Sequence, residues 1–390
     1  MGLVFPMTAK PARAVAFLIA IAALSPVLRA QDNRFEVFEG GKYGYINQEG
    51  ALVIPIELEG NYALQFSEGR ARFAETVKPV PTKYPYVDRK GKLRLFREEK
   101  WGFIDLSGVI AVAPRFDAVQ DYSAGLAGVA FDTERTSHGC TDCDLNQHWG
   151  FIDKQGRMVV GPQYHSVRPF SEGLAAVQND AGRWGYIDTR GEVVIPFLFE
   201  TARSFHEGVA VVAVGRDAGY IDKRGVFVVK PRFAVADDFS GGLAAVRLGG
   251  KTGYMVIGPA GGRWAFIGTD GKKKFELPTD VETAHDFAEG LAVIEAGGHC
   301  GYIDASGAVA IPLKFSFCGD FSEGLADVGQ NGRSLYIDRK GHIAIVVPYA
   351  GTHPFKNGLA AFDEGTGGPG QKTWYIDKHG NEVWKNRPAL

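Results

Sequence analysis

Short apolar runs alternate with polar turns along most of the chain. Trp184-Gly-Tyr-Ile187 and Val193-Val-Ile195 are examples, rich in aromatic and β-branched residues and too short for helices. Such runs, bounded by Gly, Pro, Asp and Ser, predict strands. The 51 glycines and 19 prolines leave little room for long helices. One segment breaks the pattern: Lys10 and Arg13 precede the apolar run 14–24, followed by Ser25-Pro26 and the small-residue end Val27-Leu28-Arg29-Ala30. That basic, apolar, small-residue order predicts a signal peptide over 1–30, cleaved after Ala30. An N-terminal membrane anchor is the other reading, but the run is shorter than the ~18 residues a span needs.

The remainder, 31–390, repeats itself. Trp101-Gly-Phe-Ile-Asp105 recurs as Trp149-Gly-Phe-Ile-Asp153 and Trp184-Gly-Tyr-Ile-Asp188, with looser copies starting at Tyr43, Ala218, Trp264, Cys300, Ser334 and Thr373. Seven positions after every start stands a glycine, among them Gly108, Gly156, Gly191 and Gly225. A proline such as Pro55, Pro196 or Pro312 follows, then an aromatic before a Ser-Glu-Gly-like turn, then a run like Leu174-Ala-Ala-Val177. Asp-x-x-Gly joins two strands into a tight hairpin, because Asp hydrogen-bonds its own turn and Gly accepts positive φ. The aspartates Asp105, Asp153, Asp188 and Asp222 therefore read as turn caps rather than as a catalytic carboxylate row.

These motifs, Trp-Gly-[Phe/Tyr]-Ile-Asp-x-x-Gly followed by Phe-Ser-Glu-Gly-Leu-Ala, resemble the WG-repeat (KWG-repeat) proteins over about residues 42–385. The resemblance implies a β-rich repeat scaffold with a binding role, and it brings no catalytic residue. The expected class is all-β, about nine tandem antiparallel hairpin repeats forming one domain. A propeller-like ring with the Leu-Ala-Ala-Val strand innermost is preferred to an open β-solenoid.

Length varies at one place in the unit. From each turn glycine to the next start the interval runs from 10 to 32 residues, whereas the rest of the unit barely changes. The long loops 75–100, 132–148, 248–263 and 363–372 therefore leave one face, where insertions often mark binding. Drift of tolerant surface loops is the competing explanation. Tyr84, Tyr86 and His138 are the binding-loop candidates.

Chemistry candidates are few. Gly365-Thr-Gly367-Gly-Pro-Gly370 matches a dinucleotide fingerprint in spelling, but a hairpin follows where a helix is required. Gly250-Lys251-Thr252 lacks the earlier glycine of a phosphate loop, since Ala245 occupies that position. No cofactor is expected. Cys140 and Cys143 lie in a long loop with His138 and His148 nearby; a local disulfide is the default in an oxidising compartment, and a tetrahedral zinc site is the secondary candidate. Cys300 and Cys318 are two buried thiols or one disulfide. The net charge is −2, and removing the three cations of 1–30 leaves −5, which argues against a nucleic-acid partner. No later segment is long and apolar enough to span a membrane.

The leading expectation is an exported, non-enzymatic binding or scaffold protein, periplasmic or extracellular, presenting its loops to a protein, peptide or glycan. The rival is a hydrolase or lyase with its site in a propeller funnel. Several His and Asp or Glu residues converging in a funnel would favour the rival. Exposed aromatics without paired acids and bases would favour binding.

Overall fold

The computed structural model describes residues 33–59, 65–77, 86–87, 93–94, 98–132, 147–249, 261–347, 351–364 and 372–385. The segment 1–32, with its expected signal peptide and cleavage point, lies outside them, as do both glycine-rich spellings at 250–252 and 365–370.

Every described element is a strand, and nine small antiparallel sheets form a nine-bladed β-propeller. Blade 4 shows the plan: an inner strand Ser166–Val167, a second strand Leu174–Gln178, a third strand Trp184–Asp188 and an outer strand Val193–Phe199, hydrogen-bonded in that order. Leu174-Ala-Ala-Val177 is buried on both faces because a blade covers each side. Ala176 and Tyr186 pack against Ala210 and Val212 of blade 5, while Ala175 and Val177 pack against Phe151 of blade 3. One expectation needs correction. The Leu-Ala-Ala-Val strand is second from the centre, and the two-residue strand before the Ser-Glu-Gly turn is innermost. Two residues are too few to show a period, so the sequence offers the segment before the turn aromatic only as a possible fourth strand and does not place it innermost.

The open solenoid does not hold, because blade 9 packs on blade 1. Leu359 and Tyr375 share a core with Phe35, Val37 and Ile46. The Phe35 and Tyr375 rings meet at 5.6 Å, and the Tyr375 hydroxyl donates to the Glu36 carbonyl at 2.7 Å.

The turn glycines complete each blade interface. Gly191 has φ +86°, and a Cβ there would stand 2.8 Å from Val160 Cγ2 of the preceding blade. Gly50 also faces the outer strand of the preceding blade, but there it meets the backbone carbonyl of Val383 first and its side chain at 3.0 Å, so the 9-to-1 interface is closed with a different register. The glycine of Trp-Gly answers a different demand. Trp184 pairs with Phe199 but Tyr186 with Ile195, so the outer strand bulges at Pro196. A Cβ on Gly185 would lie 2.6 Å from the Ile195 carbonyl oxygen. All six blades with this glycine (44, 102, 150, 185, 219, 301) carry proline inside the outer strand. In blades 6, 8 and 9 the position is Ala265, Leu335 or Trp374, the outer strand has no proline, and pairing runs straight through it.

Cys300 on the third strand of blade 7 and Cys318 on the inner strand of blade 8 form a buried disulfide, so the bond joins two blades.

Candidate functional site: the two faces and the channel

The antiparallel order sends two kinds of connection to opposite faces of the ring. Both tight turns, Asp-x-x-Gly and Ser-Glu-Gly, lie on one face; the loops between second and third strands lie on the other.

The turn face is rich in hydrogen bonds. Asp105 Oδ1 accepts the Ser107 and Val109 amides, Asp153 those of Gln155 and Arg157, Asp188 those of Arg190 and Glu192, and Asp222 those of Arg224 and Val226. In Asp188 and Asp222 these amides are the foremost cause of a pKa held below the ordinary carboxylate value; in Asp105 the Ser107 hydroxyl leads. Gly108, Gly156, Gly191 and Gly225 all take positive φ. The Ser-Glu-Gly turns add a belt that reaches from blade to blade. Glu68 accepts the Gly125 amide, Glu172 that of Gly208, Glu207 those of Gly241 and Gly242, Glu289 that of Gly324 and Glu323 that of Gly358. Lys154, Lys223 and Lys378 pair with Glu68, Glu172 and Glu323. Serine hydroxyls form a parallel chain, as in Ser123 to the Phe170 carbonyl and Ser171 to that of Phe205.

On the loop face, second and third strands of blade 2 lengthen to Arg70–Val77 and Glu98–Asp105, and the insertion between them holds a two-stranded ribbon, Tyr86–Val87 with Leu93–Arg94. Tyr86 thus lies on this ribbon, paired with Arg94. Tyr84, His138, Cys140 and Cys143 lie outside the described residues. His148 is the second residue of the third strand of blade 3, Gln147–Asp153, with Nε2 3.8 Å from Asp180. Among the described residues no three His, Cys, Asp or Glu groups converge closely enough to hold a metal ion, and no helix is long and apolar enough to cross a membrane.

The inner strands line a polar channel whose walls differ in charge. Arg72, from the second strand of blade 2, pairs with Asp121 at 2.7 Å, Arg168 donates to the Ala202 carbonyl, and Arg203 reaches Asp237 at 3.2 Å and Asp238 at 3.8 Å. Beyond Arg203 the wall turns acidic: Asp237 and Asp238 in blade 6, Asp286 in blade 7 and Asp320 in blade 8, with His285 and His353 at the corresponding inner-strand position. Burial, followed by the charges of Asp237 and Asp238, pushes Asp286 up to about 7. Burial also raises Asp237. Sequence reading missed this arc. The available signal was the residue just before each turn aromatic, which is Asp238, Asp286 and Asp320 in three successive units.

The folded protein holds the Asp286 proton to about pH 7, whereas the unfolded chain releases it near the ordinary 3.8. Folding stability at this site is therefore full below about pH 4 and is lost as pH rises through 7. Asp286→Asn removes that loss. It is expected to stabilise the protein by about 1–2 kcal/mol at pH 8, with allowance for channel water, and by little at pH 4. Urea unfolding at both pH values checks this; an equal effect at both would contradict it.

At the seam between blades 9 and 1 a cavity of about 730 Å³ opens, lined by Arg34, Gln65, Phe66, Lys356, Asn357 and Tyr375 among others.

No curated protein sequence matches the chain. Solved structures similar to it include a eukaryotic initiation factor (TM-score 0.50, 11% identity, 73% of this chain and 81% of that one). Another is the dihydro-heme d1 dehydrogenase NirN (0.45, 13%, 91% and 73%), and a third is a WD40 β-propeller domain (0.29, 12%, 66% and 87%). At such identities the likeness concerns the fold alone. The model of the WG containing repeat matches residues 43–75, 101–132, 149–181, 184–215, 219–251 and 301–333. Each match begins on the third strand of one of the six blades with the Gly–Pro bulge and ends in the following blade, together they cover half of the chain, and the chain belongs to the WG-containing-repeat family.

Proposed function

We propose that this protein is an exported, non-enzymatic binding scaffold that presents its loop face to a protein, peptide or glycan. The observation that carries the reading is the asymmetry of the two faces. The turn face is uniform in length and closed by the Glu and Ser hydrogen-bond chains, whereas every insertion leaves the opposite face. The apolar side chains of the second and third strands are largely committed to blade packing, which favours the loops as the recognition surface. The basic–apolar order of 1–30 and a buried disulfide between blades support export to an oxidising compartment.

The test is to replace 133–146 by a two-residue Asn-Gly turn joining the second and third strands of blade 3. The melting temperature should stay within a few degrees, because the paired strand ends Asp132 and Gln147 are kept and joined by a tight turn. Capture of the partner that the full chain takes from its native envelope fraction should fall at least tenfold. Undiminished capture, after the same shortening of 78–97 as well, would refute the loop-face reading.

A second reading, a hydrolase or lyase, is favoured by one observation: His285 stands among Asp237, Asp238 and Asp286 in the channel. A carboxyl group and an imidazole side by side are what such chemistry uses. Turnover of an ester or glycoside substrate that disappears in Asp286→Asn would establish it.

A further inference from the structure

The acidic arc is under-compensated. Arg203 and His206 approach Asp237 and Asp238 from blade 5, but among the described residues no cation pairs with Asp286 or Asp320. Asp286 Oδ1 is buried and has no hydrogen-bond partner. Blade 8 adds a carboxylate from behind the wall. Blades 3 to 7 place a side chain at one inner-strand position (Gln120, Arg168, Arg203, Asp237, His285) and a residue without charge opposite it on the second strand. In blade 8 the pair is reversed: the inner strand has Gly319 and the second strand Asp327. The Asp327 carboxylate fills the space that a side chain at 319 would need, so it is aimed at the channel wall. Asp327 is only 2% exposed; Oδ2 accepts the Thr352 hydroxyl at 3.1 Å, and Oδ1 has no partner. Desolvated acceptors left without donors are rare and call for a ligand or a proton.

We propose that this arc binds a small organic polyamine, whose ammonium groups donate to Asp286, Asp320 and the unpartnered Asp327 Oδ1 beside Gly319. A bare metal ion fits poorly, since no three of these groups converge on one point. Carboxylates spread over two neighbouring blades suit a longer cation with several N–H donors, each ammonium offering three. The site lies on the inner strands, apart from the loops, and stands whether or not the loop-face reading does.

The ligand competes with a proton. Asp286 faces Asp237, Asp238, Arg203 and Asp320, and it holds its proton to about pH 7. Polyamine binding therefore expels that proton, and affinity should be about tenfold lower at pH 6 than at pH 8. The experiment is calorimetric titration of spermidine into the full chain at both pH values, with wild type, Asp286→Asn and Asp320→Asn. Asp320 is exposed in the channel, so its variant tests the site without risk to the fold. Binding at pH 8, about tenfold weaker at pH 6 and at least tenfold weaker in each variant, supports the proposal. It is overturned by no binding, by equal binding to wild type and both variants, or by displacement of spermidine by equimolar Mg2+.

Discussion

Gly191→Val should destabilise the protein by about 4 kcal/mol, the sum of two separate costs. The first is local. Gly191 has φ +86°, which a β-branched residue adopts only under strain of about 1–3 kcal/mol. The second crosses the blade interface. The new Cβ alone would stand 2.8 Å from Val160 Cγ2, and Val160 is buried, so overpacking adds about 1–3 kcal/mol. A control separates the two. Gly173 has φ +89° but open space around its Cβ, so Gly173→Val should bear only the first cost. Chemical denaturation of the two variants measures the difference. Equal losses would mean that the blades are not seated on each other as described.

Gly185→Ala should cost about 3 kcal/mol although only one methyl is added and φ is ordinary. The methyl would be forced to 2.6 Å from the Ile195 carbonyl oxygen, an atom held by the backbone of the bulge and unable to swing aside. In blade 6, where pairing is continuous, the equivalent Ala265 is fully buried without such a contact. The reverse change Ala265→Gly should therefore lose about 1 kcal/mol, the cost of added chain freedom. Urea unfolding of both variants checks the contrast. If Gly185→Ala were as mild as Ala265→Gly, the link between the glycine and the proline bulge would be wrong.

That link shows how far the sequence could be read. Hairpins and turns were legible because Asp-x-x-Gly and Ser-Glu-Gly are local devices, each with its own hydrogen bonds. Ring closure was only a preference until Tyr375 was seen on Glu36 and Val383 on Gly50, contacts between the two ends of the array that no local pattern encodes. The glutamate of Ser-Glu-Gly was visible as a turn residue, but its bond to the next blade was not, because its partner lies about 35 residues away. The belt also has gaps that become intelligible only in three dimensions. Ala124 and Gly241 stand where glutamates would be, so the turns after them receive no carboxylate. The channel arc was hardest to see, because Asp237, Asp286 and Asp327 gather from three blades and one of them arrives from a different strand.

The central claim is closure of nine blades into a ring, and one distance tests it. Spin labels at Glu49→Cys and His379→Cys, on the Asp-x-x-Gly turns of blades 1 and 9, are compared with labels at Gln155→Cys and Arg190→Cys on neighbouring blades 3 and 4; Cys140 and Cys143 are replaced by serine in both. In the closed ring blades 1 and 9 are neighbours too, so the two distance distributions should coincide. An open stack of nine sheets about 10 Å apart would separate the first pair by about 80 Å, and that result would contradict the ring.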